Sequence, residues 1–104
     1  MSDRILVTGA TGALGSALTA ALGADAEIAR RAWRIVTPTR DELDVTNKIK
    51  TKYFIRGESP KFLFHCVAPA ADADDAASRA VLADGVKIVA QACKDFGARM
   101  VLVS

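Results

Sequence analysis

Residues 4–16 read Arg4-Ile5-Leu6-Val7-Thr8-Gly9-Ala10-Thr11-Gly12-Ala13-Leu14-Gly15-Ser16, and the fold is decided there. Arg4 to Thr8 is a nearly continuous apolar run, suited to a strand buried on both faces. Leu14, Leu18 and Leu22 then recur every four residues, the spacing of one helical face, and Gly23 is placed to close that helix. Between strand and helix stand Gly9, Gly12 and Gly15. In this context each glycine has a distinct task. The first allows a sharp turn at the strand end, the second lets backbone approach a diphosphate, and the third lets helix and strand pack closely. The helix start then presents free N–H groups and a partial charge of about +0.5 to the anion. A Walker-type loop is excluded, because Ser16 and not lysine follows Gly15.

Working outward, short β-type runs alternate with helical ones, a pattern that implies a parallel sheet with crossover helices. Arg34 to Pro38 reads as a second strand, Glu42 to Thr46 as a short strand or turn, and Lys61 to Val67 as a further buried strand. Asn47 or Thr46 is placed to cap a helix through Tyr53 and Phe54, with Gly57 and Pro60 ending it. The longest helix is expected from about Asp74 to Phe96, with Val81, Gly85, Ile88 or Val89, Ala92 and Phe96 on one face. Its length of about 33 Å exceeds a five-residue strand, so it overhangs the sheet. Gly97 caps it, and Arg99 to Val103 forms the last strand. The expected fold is α/β, the N-terminal portion of a Rossmann-type doubly wound parallel sheet of about five strands. Residues 1–104 form one NAD(P)-binding domain, expected to be truncated after its fifth main strand.

Composition agrees with an ordinary globular chain: 104 residues, 51% hydrophobic and 25% charged. A formal net charge of +2 argues against nucleic acid as a partner. No run is long enough for a membrane span. The N-terminal apolar segment superficially resembles a signal peptide, but Asp3 and the three glycines argue against one. Cys66 and Cys93 form no metal-binding or redox spacing and read as buried thiols of a reducing, cytoplasmic compartment. His65, the only histidine, reads as a satisfied strand-end residue, and no metal site is expected. Lys94 reads as a cation complementing a helix end.

The end of the second strand bears on the choice of dinucleotide. An NAD site usually offers Asp or Glu there to hold the ribose hydroxyls. This chain offers Pro38-Thr39-Arg40, with Asp41 beyond. Arg40 either pairs with a 2′-phosphate or is a solvated surface arginine. The first reading makes the cofactor NADP(H), with NAD(H) open through Asp41.

The chain resembles the extended short-chain dehydrogenase/reductases, and within them the dTDP-4-dehydrorhamnose reductases. Thr8-Gly9-x-x-Gly12-x-x-Gly15 matches that family's nucleotide turn, and Ile5 to Gly9 its opening segment. Arg40-Asp41-Glu42-Leu43-Asp44-Val45-Thr46 is similar to its second block, which implies that Asp44 and Val45 lie at the adenine. Phe64-His65-Cys66-Val67-Ala68 is similar to its fourth-strand end, which implies that Cys66, Val67 and Ala68 line the cofactor. On this resemblance Gly9, Thr11, Gly12, Ala13, Leu14 and Gly15 hold the diphosphate. Val81-Leu82-Ala83-Asp84-Gly85 resembles a Val-Asn-Ala-Glu-Gly stretch, but Leu82 replaces its asparagine. The family's catalytic Tyr-x-x-x-Lys is absent, since Tyr53 is the only tyrosine and Gly57 stands four residues on. No catalytic residue is therefore assigned, and Ser104 leads toward the segment where the family's catalytic Ser or Thr begins.

The function implied is NADP(H) binding within a reductase of a 4-keto nucleotide sugar, a small-molecule substrate held by a C-terminal part beyond these residues. The alternative is a non-catalytic regulatory subunit resembling the methionine adenosyltransferase β-subunit. A homo-oligomer is left open.

Overall fold

The computed structural model describes residues 3–66 and 83–103. Their elements are β1 (Arg4–Thr8), α1 (Ala13–Ala24), α2 (Ala26–Arg30), β2 (Arg34–Val36), α3 (Lys48–Glu58), β3 (Phe62–His65), α4 (Gly85–Phe96) and β4 (Arg99–Leu102). The four strands make one sheet in the order β2-β1-β3-β4, and each neighbouring pair is parallel. Leu6 lies beside Val36 on one side and Leu63 on the other, and Leu63 beside Met100.

Alternation along the strands divides the core into two layers. Leu6 and Leu63 face Ile55 of α3 and Val89, Ala92 and Cys93 of α4, with Leu43 and Val45 in the same cluster. Ile5 and Val7 face the other way, toward Leu18 and Leu22 of α1 and Ile28 of α2. Helices thus cover both faces, as a doubly wound α/β sheet requires. Leu6, Ile55 and Leu63 are fully buried, each contributing about 2 kcal/mol by leaving water.

Several boundaries differ from the sequence expectation. The described residues contain four strands and not five, because residues 42–46 form turns. There the Asp44 side chain accepts from the Thr46 N–H and hydroxyl, and the first of these bonds takes up a backbone donor that a strand ladder would need. α1 runs through Gly23 to Ala24, and Asp25 ends it. The same Asp25 carboxylate accepts from the N–H groups of Glu27 and Ile28, starting α2, an unexpected short helix. α3 passes Gly57 and stops at Ser59, which takes the left-handed conformation at φ 45°. Asn47, not Thr46, caps α3, its side chain accepting from the Lys50 N–H. Gly97 closes α4 at φ 73°, as expected. On α4 the buried face carries Gly85, Val89, Ala92 and Cys93, so Val89 and not Ile88 points inward. The expected start of that helix near Asp74, and Val81, Leu82 and Ser104, lie outside the described residues.

Candidate dinucleotide site

Parallel pairing brings the carboxyl ends of all four strands to one edge of the sheet. The chain leaves β1 for β2 on one side and later returns to β3 on the other. The crevice between β1 and β3 is therefore the point where strand order reverses, the usual ligand position in open α/β sheets. The glycine turn follows β1 and Cys66 follows β3, so both border that crevice.

Within the turn the three glycines separate by what demands them. Gly9 has φ 71°, a conformation that costs an L side chain about 1–2 kcal/mol. A Cβ on Gly15 would stand 1.9 Å from the Gly9 carbonyl oxygen and 2.9 Å from the Ala10 Cα. Helix α1 and the end of β1 touch backbone to backbone there, which no other residue permits. Gly12 is different. Its φ of −74° and ψ of 169° suit any residue, and a Cβ there would lie 3.5 Å from the Gly9 oxygen, an ordinary contact. Nothing inside the described chain requires glycine at position 12.

The same turn leaves polar groups open. The Gly12 N–H donates to the Gly9 carbonyl at 3.1 Å, and the Ser16 N–H to the Gly12 carbonyl at 2.8 Å. Gly12 offers α1 no capping side chain, and the N–H groups of Ala13, Leu14 and Gly15 have no partner among the described residues. No acidic residue stands in the first turn of α1. Thr11, Gly12, Ala13 and Leu14 are exposed. Free donors, the positive end of a helix and an uncrowded Gly12 fit a diphosphate bridge.

Arg40 and Asp44 lie exposed in the turns that follow β2. Their loop is built by reciprocal bonds: the Glu42 carboxylate accepts from the Thr39 N–H at 2.9 Å, and the Glu42 N–H donates to Thr39 Oγ1 at 3.3 Å. This is a capping box around a turn. The Thr39 bonds hold the Glu42 carboxyl below its usual range. Asp44 is held low first by its bonds from Thr46, then by the charges of Arg40 and Lys50. Val45 is 5% exposed and packs in the core with Leu43 and Ile55, so its side chain serves the fold. A cavity of about 330 Å³ runs along the outer edge of β2, between Val36, Thr37, Glu42 and Phe54. Gly9 to Gly15 take no part in its walls, so it is separate from the crevice between β1 and β3.

At the crevice floor, Thr8 and His65 are register partners on adjacent strands. Thr8 Oγ1 and His65 Nδ1 lie 2.8 Å apart, and both residues are buried. His65 Nε2 is buried with no partner among the described residues, so the expectation of a satisfied histidine holds for one ring nitrogen only. Burial also pushes the imidazole pKa down. The pair was not legible beforehand, since it depends on strand register across 57 residues. Cys66 and Cys93 are free and buried, and burial raises both thiols, Cys93 to about 11. Val67 and Ala68 lie outside the described residues. Among the described residues no helix is long and apolar enough to cross a membrane.

Known proteins share this arrangement. A dTDP-4-keto-6-deoxy-D-glucose reductase from Streptomyces niveus is 32% identical over 108 residues, covering 100% of this chain and 35% of that protein. A dTDP-4-dehydrorhamnose reductase from Mycobacterium tuberculosis is 33% identical over 107 residues, covering 99% of this chain and 33% of that protein. The chain thus spans about a third of the length of these curated relatives. Among solved structures, dTDP-4-dehydrorhamnose reductase from Bacillus anthracis in complex with NADP superposes with a TM-score of 0.77 at 27% identity. That match covers 96% of this chain and 35% of the other. The corresponding reductase from Yersinia enterocolitica gives a TM-score of 0.76 at 26% identity, over 95% of this chain and 34% of the other. Residues 3–104 match the family described as RmlD substrate binding domain, and the chain belongs to that family.

Proposed function

We propose that these residues are the NADP(H)-binding part of a reductase that acts on a 4-keto nucleotide sugar. The observation that carries the reading is the start of α1, where the N–H groups of Ala13, Leu14 and Gly15 have no partner among the described residues and Gly12 is uncrowded. The relatives support it: they are named as reductases of dTDP-linked 4-keto sugars, and the B. anthracis structure holds NADP. They do not favour the regulatory-subunit alternative.

In this reading Gly9, Thr11, Gly12, Ala13, Leu14 and Gly15 surround the diphosphate, and their backbone N–H groups do the holding. Arg40 pairs with the 2′-phosphate, Asp44 and the backbone of Val45 border the adenine, and Cys66 borders the crevice from the β3 side, while Val67 and Ala68 are assigned to the cofactor by the family resemblance alone. When bound, the nicotinamide supplies hydride to the ketone. The residues of this chain bind and orient. The general acid for the carbonyl oxygen comes from the two thirds of the reductase that this chain does not span, since Tyr53 lacks a lysine four residues on. The protein is cytoplasmic in this reading, and no sugar-binding residue is assigned among residues 1–104.

The test is a fluorescence titration with NADPH and NADH. Gly12→Val places a branched side chain where the diphosphate passes, so it should abolish binding of both while the thermal unfolding midpoint stays near that of the parent. Unchanged affinity in a folded Gly12→Val protein would overturn the reading.

A further inference from the structure

Thr8 and His65 form the last register pair of β1 against β3, and the nucleotide reading gives that pair no task. We infer that His65 is a positioning residue for nucleotide binding: by bonding Thr8 Oγ1 through Nδ1, it fixes the peptide that leads into Gly9 and so aims the N–H groups at the start of α1. The inference rests on the nucleotide-binding reading above.

Thr8 is tied to the β3 side twice. Its carbonyl accepts from the Cys66 N–H at 3.1 Å, and its hydroxyl lies 2.8 Å from His65 Nδ1. A hydroxyl can donate or accept, so either neutral tautomer of the ring keeps that second bond. His65 is anchored in turn, because its carbonyl accepts from the Val103 N–H at 3.1 Å. Past Thr8 the lateral ties stop, since Gly9 makes no backbone bond to β3 among the described residues. Yet Gly9 sets where α1 begins. Its carbonyl accepts from the Gly12 N–H at 3.1 Å and stands where a Cβ on Gly15 would come within 1.9 Å. A rotation of the Thr8–Gly9 peptide would carry Gly12 and the first turn of α1 with it. Gly9, at φ 71°, has no side chain to resist such a rotation, so the restraint comes from Thr8.

The second observation is what the pair costs. His65 is 1% exposed, and its Nε2 is buried with no partner among the described residues. Leu6 and Leu63 precede Thr8 and His65 on the same face of the sheet, within an apolar core. A buried polar atom left unpaired destabilises a fold, whereas apolar groups in place of both partners would remove the penalty. The fold alone would therefore be served as well by two apolar residues. What they could not supply is the bond from the ring to Thr8. Because Nε2 is closed to solvent, His65 acts on the nucleotide through Thr8 and not by contact.

The experiment is a set of NADPH and NADH titrations on the chain with Thr8→Val, His65→Leu, both changes together, and His65→Asn, each with its thermal unfolding midpoint. The double variant removes every polar atom of the pair, so its midpoint should hold or rise while both dinucleotides weaken about five- to tenfold. Each single change should weaken both by a similar factor, and the two losses should not multiply in the double variant, because one bond is lost in all three. His65→Asn keeps a polar atom near the place of Nδ1 and should bind within about twofold of the parent. A folded double variant that binds as the parent does, a loss confined to NADPH, or single losses that multiply would each overturn the inference while leaving the nucleotide reading standing. Should the double variant not fold, Thr8→Val and His65→Asn decide: the first must weaken both dinucleotides and the second must not. A parent chain that binds neither dinucleotide would overturn the reading, and the inference with it.

Discussion

The turn after β1 and the turns after β2 open at the same edge of the sheet, yet they reach their shapes by opposite means. The first is shaped by glycine: a positive φ at Gly9, a backbone contact at Gly15, and one side-chain bond, from Ser16 Oγ to the Ala10 carbonyl at 2.9 Å. It leaves three N–H groups at the start of α1 without partners among the described residues. The second is shaped by side chains, through Thr39 with Glu42, Asp44 with Thr46, and Asn47 with Lys50. Its backbone is largely satisfied from within. A turn that satisfies itself can meet a ligand only with the outward tips of its side chains, such as Arg40. A turn that does not can meet one with the backbone. The division suits a dinucleotide, with fixed donors for the diphosphate and adjustable cations for a phosphorylated ribose.

The contrast is sharpest inside the glycine turn itself, and the largest effect is expected there. Gly15→Ala drives a Cβ to 1.9 Å from a backbone oxygen, and α1 can escape only by moving off β1. That should cost about 3 kcal/mol in urea unfolding, the upper range for overpacking. Gly12→Ala meets an atom at 3.5 Å, so its stability should stay within about 0.5 kcal/mol of the parent. If both changes cost the same, Gly12 serves the fold, and the argument that its openness serves a ligand fails.

Legibility follows the same division. The glycine turn could be read from the chain because glycine is the residue that marks unusual backbone, and the strand and helix on either side were clear from periodicity. The four parallel strands were legible too, as short apolar runs between helical stretches. The turns after β2 were harder. Thr39-x-x-Glu42 carries a capping-box spacing, but at a place where Glu42 to Thr46 also alternates like a strand. Gly23 and Gly57 suggested helix ends that Asp25 and Ser59 provide instead, because a side-chain cap or a left-handed residue without glycine can end a helix equally well. The Thr8–His65 pair needs the register of β1 against β3, which no local pattern contains.

That pair lies at the end of β1, just before the glycine turn, and adds a pH dependence in the imidazole range, whereas the lowered Glu42 and Asp44 carboxyls of the turns after β2 give theirs in the carboxylate range. Burial depresses the His65 pKa below its ordinary 6.5, so the folded state resists a proton that the unfolded state accepts. Stability is then full above about pH 6.5 and falls as the pH drops below it, until the folded form also protonates. The slope from one such group is at most about 1.4 kcal/mol per pH unit. Urea unfolding from about pH 8 to about pH 5 should reveal this decline, and His65→Gln should flatten it. A decline of the same slope in the Gln variant would assign the acid sensitivity elsewhere.

The smallest effects test the two helix starts against each other. Asn47 caps α3 with a side-chain bond at 3.1 Å, whereas Gly12 caps α1 with none. Asn47→Ala should therefore lower stability by about 1 kcal/mol, because a first-turn N–H loses its acceptor. At the other start, Gly12→Ser should raise stability by a few tenths of a kcal/mol, because serine can accept from an N–H that glycine leaves free. The same bond would take up a donor assigned to the diphosphate, so NADPH affinity should fall as stability rises. Opposite movement of the two quantities in one variant is what a helix start held open for a ligand requires. A Gly12→Ser protein that gained stability and kept its affinity would mean that the three free N–H groups are incidental to binding.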